Sequence, residues 1–132
     1  GEGNGGVIDP RIHLGRDSLI GMALILEMMA KRGEPVRDIA GAYPQYVMIK
    51  DKVKVPRTRG VRAVSKLAAQ YAHLSPNMAD GVRVDFGDRW VHVRASNTEP
   101  IVRIIAEAPD ETIARGLIEE FKLSLNRALE TV

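Results

Sequence analysis

The first strong pattern in the chain is a run of apolar residues that leaves almost no polar face. In residues 18–31 only Ser18, Glu27 and Lys31 are strongly polar. Asp17 suits the N-cap of a helix and Gly33 suits its end, so residues 18–31 are predicted to form one helix. A helix that is apolar all round is normally buried on all sides. We therefore expect a second copy of the chain, or the C-terminal domain, to cover it.

The middle of the chain alternates between two periods. Residues 36–42 suit a short helix before Pro44, and residues 46–55 suit a strand that is interrupted near Asp51. After Pro56 the apolar positions step by three and four residues, which predicts a helix with one apolar face. Those positions are Val64, Leu67, Ala68 and Tyr71.

From Gly81 the period changes to two. Val82, Val84 and Phe86 predict a strand, and Gly87-Asp88 predicts a tight hairpin into residues 89–94. Residues 101–107 form the next predicted strand, and Asp110 suits the cap of a last helix. That helix has a core-facing stripe at Ala114, Leu117, Ile118, Phe121, Leu125, Ala128 and Leu129. The order strand, helix, three strands, helix indicates an α+β domain with helices on one face of a mostly antiparallel sheet.

The loop between the last two strands carries the candidate chemistry. It reads Arg94-Ala95-Ser96-Asn97-Thr98-Glu99-Pro100, and Arg103 is the third residue of the outgoing strand. A guanidinium, two hydroxyls, a carboxamide and the backbone N–H groups of a turn are the donors that a phosphate needs. The same residue types are also ordinary in turns. Glu99 opposes phosphate binding unless its carboxylate points away.

The order of these residues adds a family resemblance. The loop and Arg103 resemble the phosphate-binding loop in the last domain of the α-D-phosphohexomutases, the superfamily of phosphomannomutase, phosphoglucomutase and phosphoglucosamine mutase. The glycine-rich segment of residues 1–6 resembles the sugar-recognition loop of the third domain in that superfamily. Residues 13–17 look like the segment that follows that loop before a helix. The resemblance covers essentially the whole chain.

The resemblance implies a domain organisation and a set of ligand-binding residues. Residues 1–33 would be the C-terminal piece of the third α/β domain, residues 34–45 a hinge, and residues 46–132 a TATA-box-binding-protein-like C-terminal domain. By the same resemblance the sugar is bound by Glu2 and Asn4. The residues implied to bind the phosphate are Arg94, Ser96, Asn97, Thr98 and Arg103.

The resemblance also implies an activity. Members of the superfamily interconvert hexose 1-phosphate and hexose 6-phosphate by intramolecular phosphoryl transfer, through a hexose 1,6-bisphosphate and with Mg²⁺. The phosphoserine loop and the Asp-rich magnesium loop come from earlier domains, and neither motif occurs in this sequence. We therefore expect a cytoplasmic parent enzyme and a chain that holds no catalytic residue or metal site and is inactive alone. Gly6 and Val7 stand where many members carry His, so mannose, glucose and glucosamine all stay open.

Composition narrows the alternatives. The 132 residues are 45% hydrophobic, which is enough for a core, and 19 Lys and Arg against 17 Asp and Glu leave a net charge of +2. So small a bias and only 5% aromatic residues do not favour a nucleic-acid binder. No apolar run is long enough to span a membrane, and without cysteine there is no disulfide. The expected partners are a phosphosugar, the missing N-terminal domains, or a second copy through residues 18–31. The alternative is a stand-alone anion-binding or protein-interaction module.

Overall fold

The structure is a computed structural model, and it describes residues 6–132. The chain divides into two compact units between Pro44 and Gln45. No helix within the described range is both long and apolar enough to cross a bilayer.

The first unit contains two helices. Helix α1 is Ser18–Arg32, and the carboxylate of Asp17 caps it by accepting from the N–H groups of Leu19 and Ile20 at 2.8 and 3.1 Å. Helix α1 ends at Gly33, and α2 is Val36–Gly41. Both helices therefore begin and end close to their predicted positions.

Helix α1 exposes a large part of its apolar surface. Leu19 is 72% exposed and Leu26 is 63% exposed, while Met22 and Ile25 are each about half exposed. Among the described residues of this helix, only Gly21 is buried. These side chains are open to solvent in the described chain, and the expected cover of α1 by a second copy of the chain or by the C-terminal domain stays a prediction.

The second unit is a four-stranded antiparallel sheet covered by helices. Its elements are β1 (Val47–Lys54), α3 (Arg57–Gln70), a short 3-10 helix (Ala72–Leu74), β2 (Val82–Asp85), β3 (Trp90–Ala95), β4 (Ile101–Ala108) and α4 (Glu111–Glu130). The strand order is β1-β4-β3-β2. Helices α3 and α4 pack on each other and on the sheet, so one face of the sheet is covered. The predicted α+β class is confirmed.

The core lies between the helices and the covered face of the sheet. Val82, Val84, Val91 and Val93 of the predicted strands are fully buried, whereas Phe86 lies just beyond β2 and is only partly buried. The ring of Phe121 from α4 stacks on Tyr71, with the ring centroids 4.4 Å apart. This core is what makes the opposite face of the sheet, and the loops at its ends, a rigid platform.

One prediction about β1 is wrong. The sequence suggested an interruption near Asp51, but β1 pairs with β4 without a break from Val47 to Lys54. Asp51 faces the helices and is accommodated because Lys122 of α4 donates to its carboxylate at 2.7 Å. That hydrogen bond, and then the one from the Lys52 N–H, lower the pKa of Asp51 below its usual value.

Candidate functional site

The phosphate-loop candidate is the connection between β3 and β4. The Ser96 N–H donates to the Ile101 carbonyl at 2.9 Å and closes the connection at its base. Arg94 and Arg103 are direct partners in the antiparallel register. Direct partners in such a pair project to the same face, and here that is the face opposite the helices. The fold thus puts both arginines beside the loop.

Ser96 organises the loop from inside. It is only 7% exposed. Its Oγ accepts from the N–H groups of Thr98 and Glu99 at 3.4 and 3.2 Å. The sequence led us to expect the backbone N–H groups of this turn to be available to an anion, but these two are used within the loop. In both contacts the hydroxyl acts as acceptor, so its own hydrogen is not used by them.

All five residues predicted to bind phosphate are brought together. They line one shallow concavity of about 170 Å³, which is formed by Arg94, Ala95, Ser96, Asn97, Thr98 and Arg103. Pockets that enclose drug-sized ligands have about 300–1,000 Å³, so this concavity suits a single tetrahedral anion rather than a whole sugar. The two predicted sugar-binding residues, Glu2 and Asn4, lie outside the described residues.

Arg57 contacts a residue of the concavity, and the sequence analysis missed it. It is the first residue of α3, and its Nη2 donates to Oδ1 of Asn97 at 3.3 Å. Because the carboxamide oxygen is the group that faces Arg57, the NH₂ of Asn97 is directed elsewhere and is suited to donate to an anion. The two residues are 40 positions apart, so no local pattern connects them. The available signal was a cation at the predicted start of a helix.

Cations and carboxylates are interleaved around the concavity. Lys52, Arg103 and Arg94 lie abreast on three neighbouring strands of the open face. Like charges directly opposite each other destabilise a sheet. Here Arg94 Nη1 contacts Asp80 Oδ2 at 2.6 Å, and Arg103 Nη2 contacts Glu99 Oε2 at 2.7 Å. Glu99 does not line the concavity, but its contact with Arg103 offsets part of the positive charge of that arginine.

The arrangement can bind an anion. Two guanidiniums, a carboxamide and two hydroxyls offer charge-assisted and neutral hydrogen bonds from several directions. Within residues 6–132, no three or more His, Asp or Glu residues lie where they could hold a metal ion together.

Comparison with known families places this geometry in context. The family model of the phosphoglucomutase/phosphomannomutase C-terminal domain matches residues 51–124, and the model of α/β/α domain III from the same proteins matches residues 1–46. The first match includes the whole loop and spans more than half of the chain.

Individual relatives agree with these matches. A phosphoglucomutase/phosphomannomutase of Thermococcus kodakarensis is 41% identical over 90% of this chain, and a probable phosphoglucosamine mutase of Methanopyrus kandleri is 34% identical over all of it. A phosphoglucosamine/phosphogalactosamine mutase of Sulfurisphaera tokodaii is 36% identical over 92% of this chain. The chain spans only 26%, 30% and 27% of the lengths of these three proteins, respectively.

A solved structure gives the same result for the fold. The crystal structure of a phosphoglucomutase/phosphomannomutase family protein from Burkholderia thailandensis superposes with a TM-score of 0.67 at 25% identity, covering 88% of this chain and 25% of that protein. Because the two family models together account for nearly all of the sequence and the C-terminal one alone for more than half, the chain belongs to the phosphoglucomutase/phosphomannomutase family.

Proposed function

We propose that this chain is the phosphate-holding part of a cytoplasmic phosphohexomutase, which interconverts hexose 1-phosphate and hexose 6-phosphate through a hexose 1,6-bisphosphate. The observation that carries the proposal is the convergence of Arg94, Ser96, Asn97, Thr98 and Arg103 on one anion-sized concavity. Relatives that align with this chain are named as mutases of phosphoglucose, phosphomannose, phosphoglucosamine or phosphogalactosamine. Among mannose, glucose and glucosamine, the proposal does not select one hexose.

In this role the loop holds the phosphate that does not react. A substrate whose two ends must be presented in turn needs a fixed anchor for the distal phosphate, and binding energy at that anchor serves orientation at the reacting end. The proposed domain limits are residues 1–33 for the end of domain III, with Glu2 and Asn4 contacting the sugar, and residues 46–132 for the phosphate-binding domain. Residues 34–45 would be the hinge that closes the second over the substrate.

The chemical step belongs to other parts of the proposed parent enzyme. Phosphohexomutases use Mg²⁺, but residues 6–132 offer no cluster of metal ligands. The described residues therefore do not fit the ion, and in this proposal the chain binds and orients the substrate. We expect the chain alone to be inactive as a phosphotransferase.

The proposal also accounts for the exposed apolar face of α1. Leu19, Met22, Ile25 and Leu26 form an open apolar surface on a helix that belongs to the segment matching domain III. The curated relatives are more than three times as long as the matched part of the chain. We propose that the remainder of domain III covers this face in a protein of that length. A homodimer through residues 18–31 is the competing arrangement, and light scattering of the 132-residue chain would detect it.

The test is a titration of the ¹⁵N-labelled chain with glucose 1-phosphate, followed by NMR. We expect amide shifts confined to residues 94–103 and a Kd on the order of millimolar, because one phosphate in an open half-site makes few contacts. Sulfate should shift the same amides, whereas unphosphorylated glucose should not.

Matched arginine variants make this test specific. Arg94→Ala should abolish the shifts, while Arg89→Ala should leave them unchanged. Arg89 also forms an exposed ion pair on the same sheet, with Asp88 at 3.1 Å, but it lies in the hairpin at the opposite end of β3. If both variants lose the amide shifts equally, the effect of the arginines is a diffuse charge effect. If the unsubstituted chain shows no amide shifts, the proposal is refuted and the stand-alone interaction module is favoured.

A further inference from the structure

We propose that Asp80 is a positioning residue of the phosphate site, which holds the guanidinium of Arg94 in the orientation that an anion requires. This inference rests on the proposed function, because it assumes that the concavity beside Arg94 binds an anion. Asp80 lies 14 positions before Arg94, outside the loop that carries the anion-binding sequence pattern, in the turn between the 3-10 helix and β2.

The turn that carries Asp80 is closed on itself. Asn77 and Arg83 exchange two backbone hydrogen bonds, at 2.8 and 2.9 Å, which tie the two ends of the turn together. Inside it, the Ala79 N–H donates to Oδ1 of Asn77 at 2.9 Å. The turn therefore has its own internal hydrogen bonds.

The same turn is docked against β3 by two further contacts. Nε2 of His92 donates to the carbonyl of Asp80 at 2.5 Å. Gly81 lies so close to β3 that a Cβ at this position would be 2.3 Å from the Val93 carbonyl oxygen. The backbone of Asp80 is thereby held at a defined distance from the strand that carries Arg94, and its side chain needs to span little distance to reach the guanidinium.

The contact between Asp80 and Arg94 leaves most N–H donors of the guanidinium available to an anion. Asp80 Oδ2 contacts Nη1 at 2.6 Å, and a guanidinium has five N–H donors in a rigid plane. Fixing one corner of that plane restricts the rotation of the whole group, so its remaining donors face a defined direction. A long side chain that is already ordered loses less conformational entropy when it binds a ligand.

Asp80 also repels an anion, and the experiment must separate this effect from positioning. Asp80→Asn and Asp80→Ala remove the same negative charge, but only asparagine keeps an oxygen that can accept from Nη1. Any gain from reduced repulsion is therefore common to the two variants, and the difference between them measures positioning alone. Neither variant alters the backbone carbonyl that His92 contacts.

The measurement is the Kd of inorganic phosphate for the parent chain and both variants, by NMR at neutral pH and fixed ionic strength. We expect Asp80→Ala to bind about fivefold more weakly than Asp80→Asn, because one rotamer-rich side chain must then be ordered on binding. The NMR signals of the Arg94 guanidinium should show hindered rotation in the parent chain and in Asp80→Asn, and free rotation in Asp80→Ala.

Asp88 supplies the control, since it forms a comparable exposed ion pair with Arg89. Asp88→Asn and Asp88→Ala should bind phosphate equally well. If the two Asp80 variants bind phosphate with the same Kd while the parent chain binds at residues 94–103, the positioning role is refuted and the proposed function stands. If the parent chain shows no phosphate-dependent shifts there, both are refuted.

Discussion

Replacing Gly81 with alanine should destabilise the C-terminal unit far more than the same replacement at Gly87. Both glycines have a positive φ, 82° at Gly81 and 91° at Gly87. They differ in their surroundings. A Cβ on Gly87 would meet nothing within 4 Å, whereas a Cβ on Gly81 would lie 2.3 Å from the Val93 oxygen and 2.9 Å from the Arg94 Cα.

The magnitude follows from two separate costs. Any side chain at a positive φ costs about 1 to 2 kcal/mol, and both variants carry this cost. Gly81→Ala adds overpacking against backbone atoms of a central strand, typically about 1 to 3 kcal/mol. We therefore expect about 1 kcal/mol for Gly87→Ala and about 3 kcal/mol for Gly81→Ala.

Urea unfolding followed by circular dichroism measures both values. With a slope of about 1 to 3 kcal/mol/M, the expected difference between the variants moves the unfolding midpoint by about 1 M. Gly81→Ala should also weaken phosphate binding, because the turn that carries Asp80 must move away from β3. Equal midpoints for the two variants would refute the close approach of this turn to the strand.

Two further predictions concern contacts that join the helices to the rest of the unit. Tyr71→Phe keeps the ring on Phe121 but removes hydroxyl contacts with Glu120 and Ser124 at 3.1 and 3.2 Å, so it should cost about 1 kcal/mol in urea unfolding. A loss of unfolding free energy below a few tenths of a kcal/mol would mean that hydrogen bonds to water replace these contacts. Asp51→Asn should destabilise the chain at neutral pH, because the Lys122 contact requires a carboxylate. The pKa of Asp51 is lowered in the fold, so the advantage of the parent chain is present above the usual Asp value of about 3.9 and should vanish as the pH falls through the lowered pKa. An advantage that persists in strong acid would contradict this assignment.

The pattern of the sequence predicted most elements of the C-terminal unit because each depends on local spacing. The apolar stripe of α4 follows the helical period, and the alternation in β2 and β3 follows the strand period. Both patterns can therefore be recognised without knowledge of the rest of the chain. The predicted break in β1 was wrong for the opposite reason. Asp51 disturbs the apolar alternation, and only the position of Lys122, 71 residues later, shows why it is tolerated.

In the candidate site, too, some features follow from the local sequence and others depend on tertiary contacts. The order of residues 94–100 located the loop, and the strand period placed Arg103 on the same face as Arg94. The use of two loop N–H groups by Ser96, and the approach of Arg57 to Asn97, were not accessible to local reasoning. The first depends on how the turn closes, and the second depends on where α3 begins in space.

By itself, then, the sequence determined most of the elements, the fold class and the location of the candidate anion-binding loop, because periodicity and turn chemistry are encoded over a few neighbouring residues. Only the tertiary structure decided which carboxylates meet the two arginines. Asp80 contacts Arg94 because the turn of residues 77–83 docks on β3. Glu99 contacts Arg103 from the adjoining loop, only four residues before it in the sequence. The physical reason is that contacts between distant segments depend on register and docking, and both are set by the packing of the whole unit rather than by any local pattern.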